Sequence, residues 1–198
     1  MFCPQNVIPK AMFSVGVLAT LVRAVWALFE GLRLLGDPKP GANDSDKHSA
    51  RVWDVAIGIE VVGMVCGLIG FGKMQTGSNR LAYFGLVTLI IGIAIRWSAI
   101  LTLGKYFTGT VLIQPGHQLV RAGLYRYVRH PAYTGSLIAH LGLGLAFANW
   151  LSLALCVIPF VIAVWYRMHV EDEALRKAFG IAYVDYSKDT KRLIPKLY

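Results

Sequence analysis

Long apolar runs, separated by short stretches rich in charge and turn formers, set the pattern of this chain. After Lys10 an apolar run extends to about Phe29, long enough to cross a hydrocarbon core of about 30 Å at about 1.5 Å per helical residue. Arg23 interrupts it and no small-residue cleavage site follows, so it reads as a first membrane span and not as a cleaved signal peptide. Residues 36–51, GDPKPGANDSDKHSAR, predict a water-exposed loop. Residues 52–71 form a second span with Asp54 near one end and Glu60 nearer the middle. An ionised carboxylate facing lipid costs several kcal/mol, so Glu60 has to face protein or water. The GLIGFG run from Gly67 to Gly72 lacks the strand-then-helix setting of a phosphate loop and reads as helix packing and a C-cap. A connector containing Lys73, Gly77, Asn79 and Arg80 leads to a third span, about Leu81 to Leu103, in which Arg96 is expected to pair with Glu60 or to snorkel.

The next stretch breaks the pattern. Gly116 to Gly135, GHQLVRAGLYRYVRHPAYTG, mixes basic, aromatic, glycine and proline residues and places Arg121, Arg126 and Arg129 beside His117, His130, Tyr125, Tyr127 and Tyr133. Such a set can hold anions, stack on a flat ring and donate hydrogen bonds, or it can serve as a basic, aromatic collar at the lipid headgroups. From about Gly135 to Tyr166 the chain is apolar again, too long for one ordinary span and too short for two with a generous loop. It predicts a helical hairpin of two short arms, spans four and five, turning at Ala148, Asn149 and Trp150. From Arg167 onward a charged tail follows, with Leu175, Ala178, Phe179 and Ala182 at roughly helical spacing and Gly180 as a break.

Composition agrees with a membrane protein. The 198 residues are 56% hydrophobic with a mean hydropathy of +0.53, and the length suits one domain. The formal charge of +9 alternates with membrane-length runs and forms no single soluble face, which argues against nucleic acid as a partner. Cys3, Cys66 and Cys156 are scattered and odd in number, so neither a disulfide frame nor a metal site is indicated. His48 in the loop and His140 in the hairpin read as a surface and a packing histidine. Trp97, Tyr106, Trp150 and Trp165 fall near span ends, where interface anchors belong.

The fold class is therefore all-α: a polytopic membrane protein with five transmembrane helices and a tail helix. Five spans sort fifteen of the twenty lysines and arginines onto one side, from Arg33 through Arg129 to Lys196, and leave Lys10, Lys73 and Arg80 on the other and Arg23 and Arg96 inside spans. Four or six spans would carry the tail across and destroy the bias. The positive side is cytosolic, so the N-terminus lies outside, and the central segment meets the tail at the cytosolic face. At the end of span five Arg167 and Glu171, four residues apart, share a helix face. They make either a plain ion pair or complementary grips on a zwitterionic ligand.

From Gly104 to Tyr198 the text resembles the isoprenylcysteine carboxyl methyltransferase family: LGKYFT, then GHQLVRAGLYRYVRHPAYTG, then the hairpin, then Arg167, Glu171, Glu173, Leu175, Phe179, Gly180, Tyr183 and Tyr186. Length and hydropathy predict a single membrane domain over 1–198 with three spans in 1–103, and the resemblance implies a methyltransferase-like half in 104–198. It also implies S-adenosyl-L-methionine as cofactor without a Rossmann domain, and a lipophilic, lipid-linked acid reached from the bilayer as acceptor. By the same resemblance His117, Gln118, Leu119, Val120, Tyr125, His130, Pro131, Ala132 and Tyr133 line the cofactor pocket. Glu171 takes the cofactor's amino group, and Arg167 is the catalytic residue beside the acceptor and the transferring methyl. Thr110 stands where the eukaryotic members often carry a glutamine. Competing readings are a phospholipid N-methyltransferase, an NADPH-dependent sterol or enone reductase, and a scaffold or channel using Arg23, Glu60 and Arg96 as a polar path.

Overall fold

The computed structural model of the protein describes residues 10–35, 44–74 and 79–197. Cys3, Lys39, Gly77 and the first half of the predicted loop lie outside the described residues. Among the described residues six α-helices follow one another: α1 (Lys10–Leu34), α2 (Asp44–Ile69), α3 (Arg80–Leu103), α4 (Pro131–Ala146), α5 (Trp150–Phe179) and α6 (Ile181–Asp189). Between α3 and α4 run two short 3-10 turns, Gly104–Tyr106 and Gly123–Arg126, with irregular chain between them. Among the described residues four helical segments are long and apolar enough to cross a membrane: Phe13–Leu34, Lys47–Ile69, Arg80–Tyr106 and Trp150–Phe179. The fifth apolar helix, α4, has 16 residues and is about 24 Å long at 1.5 Å per residue.

Two antiparallel helix pairs build the bundle. In the first, α3 and α4 touch backbone to backbone. A Cβ added at Gly85 would lie 2.3 Å from the Ala146 nitrogen, one at Gly92 2.3 Å from the Ala139 nitrogen, one at Gly142 2.2 Å from the Leu89 nitrogen and one at Gly135 2.4 Å from the Arg96 nitrogen. The two glycines on each helix are seven residues apart, so they recur on one face and let the axes approach as no side chain would allow. In the second pair α2 packs on α5. Ser152 Oγ donates to the Gly63 carbonyl at 2.7 Å, and Ala56 buries against Phe160 and Ala163.

Buried charge ties α1 to both pairs. Arg23 forks onto Glu60, with Nε to Oε1 at 2.8 Å and Nη2 to Oε2 at 2.9 Å, and Glu60 is fully buried. Arg96 does not pair with Glu60 as the sequence suggested. It donates to Glu30, to which Trp26 Nε1 also donates at 2.8 Å, and to Ser136 Oγ at 2.8 Å. Helix rotation decides this, because Arg96 sits on the α4 face of α3, at the level of Gly135, where α1 brings Glu30. His140 is the packing histidine expected, stacked on Phe160 at a centroid distance of 3.4 Å with Nδ1 2.6 Å from the Ser136 carbonyl.

The hairpin turn falls at Ala148 and Asn149. Asn149 caps α5 by accepting from the Ser152 N–H at 3.0 Å, and its Nδ2 donates to the Phe71 carbonyl at 2.6 Å. The arms differ from expectation. The second does not stop near Tyr166: α5 runs for 30 residues through the charged sequence and ends at Gly180, whose φ of +53° admits no ordinary side chain without strain. The supposed loop is also shorter, since Asp44 to Arg51 forms the first turns of α2. The GLIGFG segment behaves as helix packing and a terminus, because a Cβ at Gly67 would strike Phe147 at 2.5 Å.

Substituting Gly92→Leu is expected to prevent α3 from docking on α4 and to abolish a monodisperse peak in detergent chromatography. Gly58→Leu, where nothing lies within 4 Å of the new Cβ, is expected to leave that peak and the melting temperature nearly unchanged.

Candidate active site

Both antiparallel pairs deliver functional groups to the same end of the bundle. The α3–α4 register brings the end of α3 beside the start of α4, and the α2–α5 register brings Arg167 beside Ser49. The irregular chain between α3 and α4 and helix α6 close over this end, and the segment after α6 is bonded to the start of α4. The cavity so enclosed has a volume of about 290 Å³. Its wall includes every pocket residue expected from the sequence except Pro131: His117, Gln118, Leu119, Val120, Tyr125, His130, Ala132 and Tyr133, together with Glu171 and Arg167. Pro131 is buried at the first position of α4, where its missing N–H costs nothing and its fixed φ starts the helix. Thr110 also reaches the wall.

Glu171 accepts from the Tyr133 hydroxyl at 2.8 Å and has His130 Nδ1 at 3.8 Å, yet its side chain keeps 31% exposure. A carboxylate so placed can accept further hydrogen bonds from a cationic ligand. Arg167 is buried and donates to Ser49 Oγ at 3.2 Å and to the Gly109 carbonyl, which fixes the guanidinium plane at the wall. His117 stacks on Tyr106 at 4.5 Å and meets Phe179 edge-on at 5.5 Å. Burial lowers the pKa of His117 below the usual histidine value and the nearby Glu171 carboxylate raises it in opposition, so the ring is neutral at physiological pH. Burial, reinforced by Glu171 and Tyr186, drives the Tyr125 phenol well above its ordinary range, keeping it a neutral hydroxyl. Tyr106, expected to be a membrane-interface anchor, is instead part of this aromatic wall.

Several contacts escaped sequence reasoning. Asp172 is the hub of the lid: it receives His130 Nε2 at 2.8 Å, Arg192 Nε at 3.0 Å and the Tyr183 hydroxyl. Tyr186 donates to the Tyr125 carbonyl at 2.7 Å, and burial pushes its phenol up to about 12. Arg129 Nη1 donates to the carbonyls of Ser187 and Thr190 at 2.8 and 2.6 Å, and the backbones of Arg129 and His130 bond to those of Lys191 and Arg192. The HPxY element thus holds the tail down as well as lining the cavity. The available signal was the acidic run Glu171 to Glu173, whose middle member turns inward while Glu173 stays exposed on a pair with Lys177. Among the described residues no group of three or more His, Cys, Asp or Glu side chains is placed to hold a metal ion.

An apolar helical bundle with a polar, lidded cavity at one end defines a polytopic membrane protein whose site lies where buried helix ends meet a polar cap. Residues 85–177, from α3 to nearly the end of α5, match the model of the isoprenylcysteine carboxyl methyltransferase (ICMT) family. It is 35% identical over 118 residues to protein-S-isoprenylcysteine O-methyltransferase A of Arabidopsis thaliana, covering 57% of this chain and 58% of that protein. To the Mus musculus protein-S-isoprenylcysteine O-methyltransferase it is 30% identical over 117 residues, covering 56% and 40%. The chain thus spans less than two thirds of the length of these relatives. Its fold is that of the eukaryotic intramembrane Ras methyltransferase ICMT, with a TM-score of 0.68 at 22% identity over 97% of this chain and 70% of that one.

Asp172→Ala is expected to cost about 2–4 kcal/mol by stranding a buried histidine and loosening the lid. A lowered melting temperature together with faster proteolysis near Lys191 checks it; unchanged cleavage would show that the tail is held by other contacts.

Proposed function

We propose that the protein is an integral membrane, S-adenosyl-L-methionine-dependent carboxyl O-methyltransferase acting on an isoprenylcysteine-like thiol acid or another lipid-linked acid. The observation that carries this reading is the meeting, in one cavity, of Glu171, the aromatic wall of Tyr106, His117 and Tyr125, and the fixed cation of Arg167. The donor set suits the cofactor: a partly exposed carboxylate for an ammonium group, and aromatic rings and neutral hydroxyls around a sulfonium and a flat base.

When bound, S-adenosyl-L-methionine would supply a sulfonium-activated methyl group to a carboxylate oxygen, the electrons of the carbon–sulfur bond leaving with a neutral thioether. An ionised acid needs no base, so the work left to the protein is alignment and exclusion of water. Glu171 anchors the amino group and Tyr133 orients Glu171. Arg167, immobilised by Ser49 and Gly109, sets the direction from which the acceptor carboxylate approaches. The lid held by Asp172 and Arg129 keeps water out, which strengthens each of these interactions.

The same reading carries the topology. Five crossings, with α4 short and nearly upright as the fourth, put the cavity, the lid and the tail on the cytosolic face, and the lysine and arginine bias supports that direction. The cofactor then comes from the cytosol and the acceptor from the bilayer.

Calorimetry in detergent is expected to register S-adenosylhomocysteine binding, and labelled methyl is expected to reach a prenylated thiol acid and not phosphatidylethanolamine. Glu171→Ala and Arg167→Ala should each lower turnover by about 100-fold or more, Glu171→Ala with weakened cofactor binding. Full activity in both variants would remove the assigned roles, and methylation of the lipid amine would replace the acceptor class.

A further inference from the structure

We propose that Arg33, on α1 and outside the stretch that matches the family, is a specificity-determining residue that holds the non-reacting oxygen of the acceptor's carboxylate. The inference rests on the methyltransferase reading above. Arg33 lines the cavity, and its guanidinium is fixed on three sides. Nη2 donates to the Gly104 carbonyl at 3.2 Å and to the Phe107 carbonyl at 3.5 Å, and the plane lies over the Phe107 ring at 4.5 Å. Nη1 is buried and has no hydrogen-bond partner. A buried guanidinium N–H without an acceptor is costly, and the group that relieves it is an anion or a strong acceptor entering the cavity.

Among the described residues no ion pair joins Arg33 to the acids of the wall, Glu30, Asp54 and Glu171. Glu30, one turn earlier on the same helix, has both carboxylate oxygens engaged by Arg96, and Trp26 shares one of them. Arg129 is committed to tail carbonyls, and Glu171 lies under Tyr133. Arg33 is thus a preorganised cation with one N–H in reserve.

Two carboxylates could meet it, the methyl donor's and the acceptor's. The surface of α1 favours the acceptor. An apolar groove of about 630 Å³, with almost no polar wall, lies between α1 and α3 and includes Leu18, Leu21, Val25 and Phe29 with Ile93 and Trp97. Its α1 stripe continues at helical spacing from Phe29 to Arg33, and on α3 Trp97 of the groove is followed three residues later by Ile100 of the cavity wall, so groove and cavity follow one another along both helices. Leu21, Val25 and Phe29 are more than half exposed on the face that lipid would cover. A molecule with a long apolar tail and an acidic head fits that arrangement; the methyl donor, polar throughout, does not.

The kinetic signature follows from charge. The non-reacting oxygen keeps much of the carboxylate's charge while the new bond is only partly formed, so Arg33 binds the acceptor about equally before and during transfer, and its loss falls on KM and not on kcat. In full-length protein, Arg33→Gln is expected to raise KM for N-acetyl-S-farnesylcysteine by about tenfold or more, with kcat within about twofold and the dissociation constant of S-adenosylhomocysteine unchanged. Arg33→Lys should recover part of the loss. A binding arm needs no turnover: the farnesylated acid should raise the melting temperature of the parent protein more than its carboxamide does, and Arg33→Gln should erase the difference. An unchanged KM and an unchanged acid–amide difference overturn the proposal. Weaker S-adenosylhomocysteine binding with unchanged acceptor KM would move Arg33 to the donor's carboxylate, which also overturns it. If the parent protein transfers no methyl but still discriminates acid from amide through Arg33, the methyltransferase reading fails and the anion site stands.

Discussion

The backbone contact between α3 and α4 places nearly everything else. Four glycines, two on each helix and seven residues apart, bring main chains together where even a methyl group would collide. In a bilayer, lipid tails solvate apolar side chains as well as protein does, so close van der Waals packing between small residues is what holds helices together. The zipper ends at Arg96 and Gly135, one helical turn from His130 and Tyr133. Locking the register of α3 against α4 therefore also locks the HPxY element against the end of α3, and the cavity forms in the space that remains.

Charge then does what packing alone could not. Arg23 with Glu60 and Arg96 with Glu30 are ion pairs at membrane depth, where each partner alone would be expensive. Each joins α1 to a different neighbour, so they orient a helix whose own apolar faces are largely turned outward. α1 in turn contributes Glu30 and Arg33 to the cavity wall, and the polar end of the bundle inherits its geometry from charges buried deeper in it.

Much of this was visible in the sequence, and what was not has identifiable causes. The all-α class, the turn at Asn149, the stop at Gly180 and the burial of Glu60 all follow from local composition and from the cost of charge in lipid. The partner of Arg96 did not, because three acidic residues on two helices were available and only helix rotation chooses Glu30. The helical start of α2 was hidden by the turn formers Gly36, Pro38, Pro40 and Gly41, although no glycine or proline follows Asp44 until Gly58. The spacing of Gly85, Gly92, Gly135 and Gly142 was legible but carries meaning only once the two helices are known to face each other. Asp172 could not be told from Glu171 and Glu173 by type, since a difference of about 100° around a helix separates a buried hub from an exposed salt bridge.

The cavity's residues come from six helices and the segment between α3 and α4, yet they depend on one mechanical condition, that α6 and the segment after it stay bound to the start of α4 while the α3–α4 contact holds. A structure determined in lipid with S-adenosylhomocysteine tests that condition most directly. The account predicts density in the cavity against Tyr125, His117 and Glu171, with the glycine contacts and the Asp172 network unchanged. Density at the opposite end of the bundle near Asn149, or a ligand held with the lid detached, would contradict it.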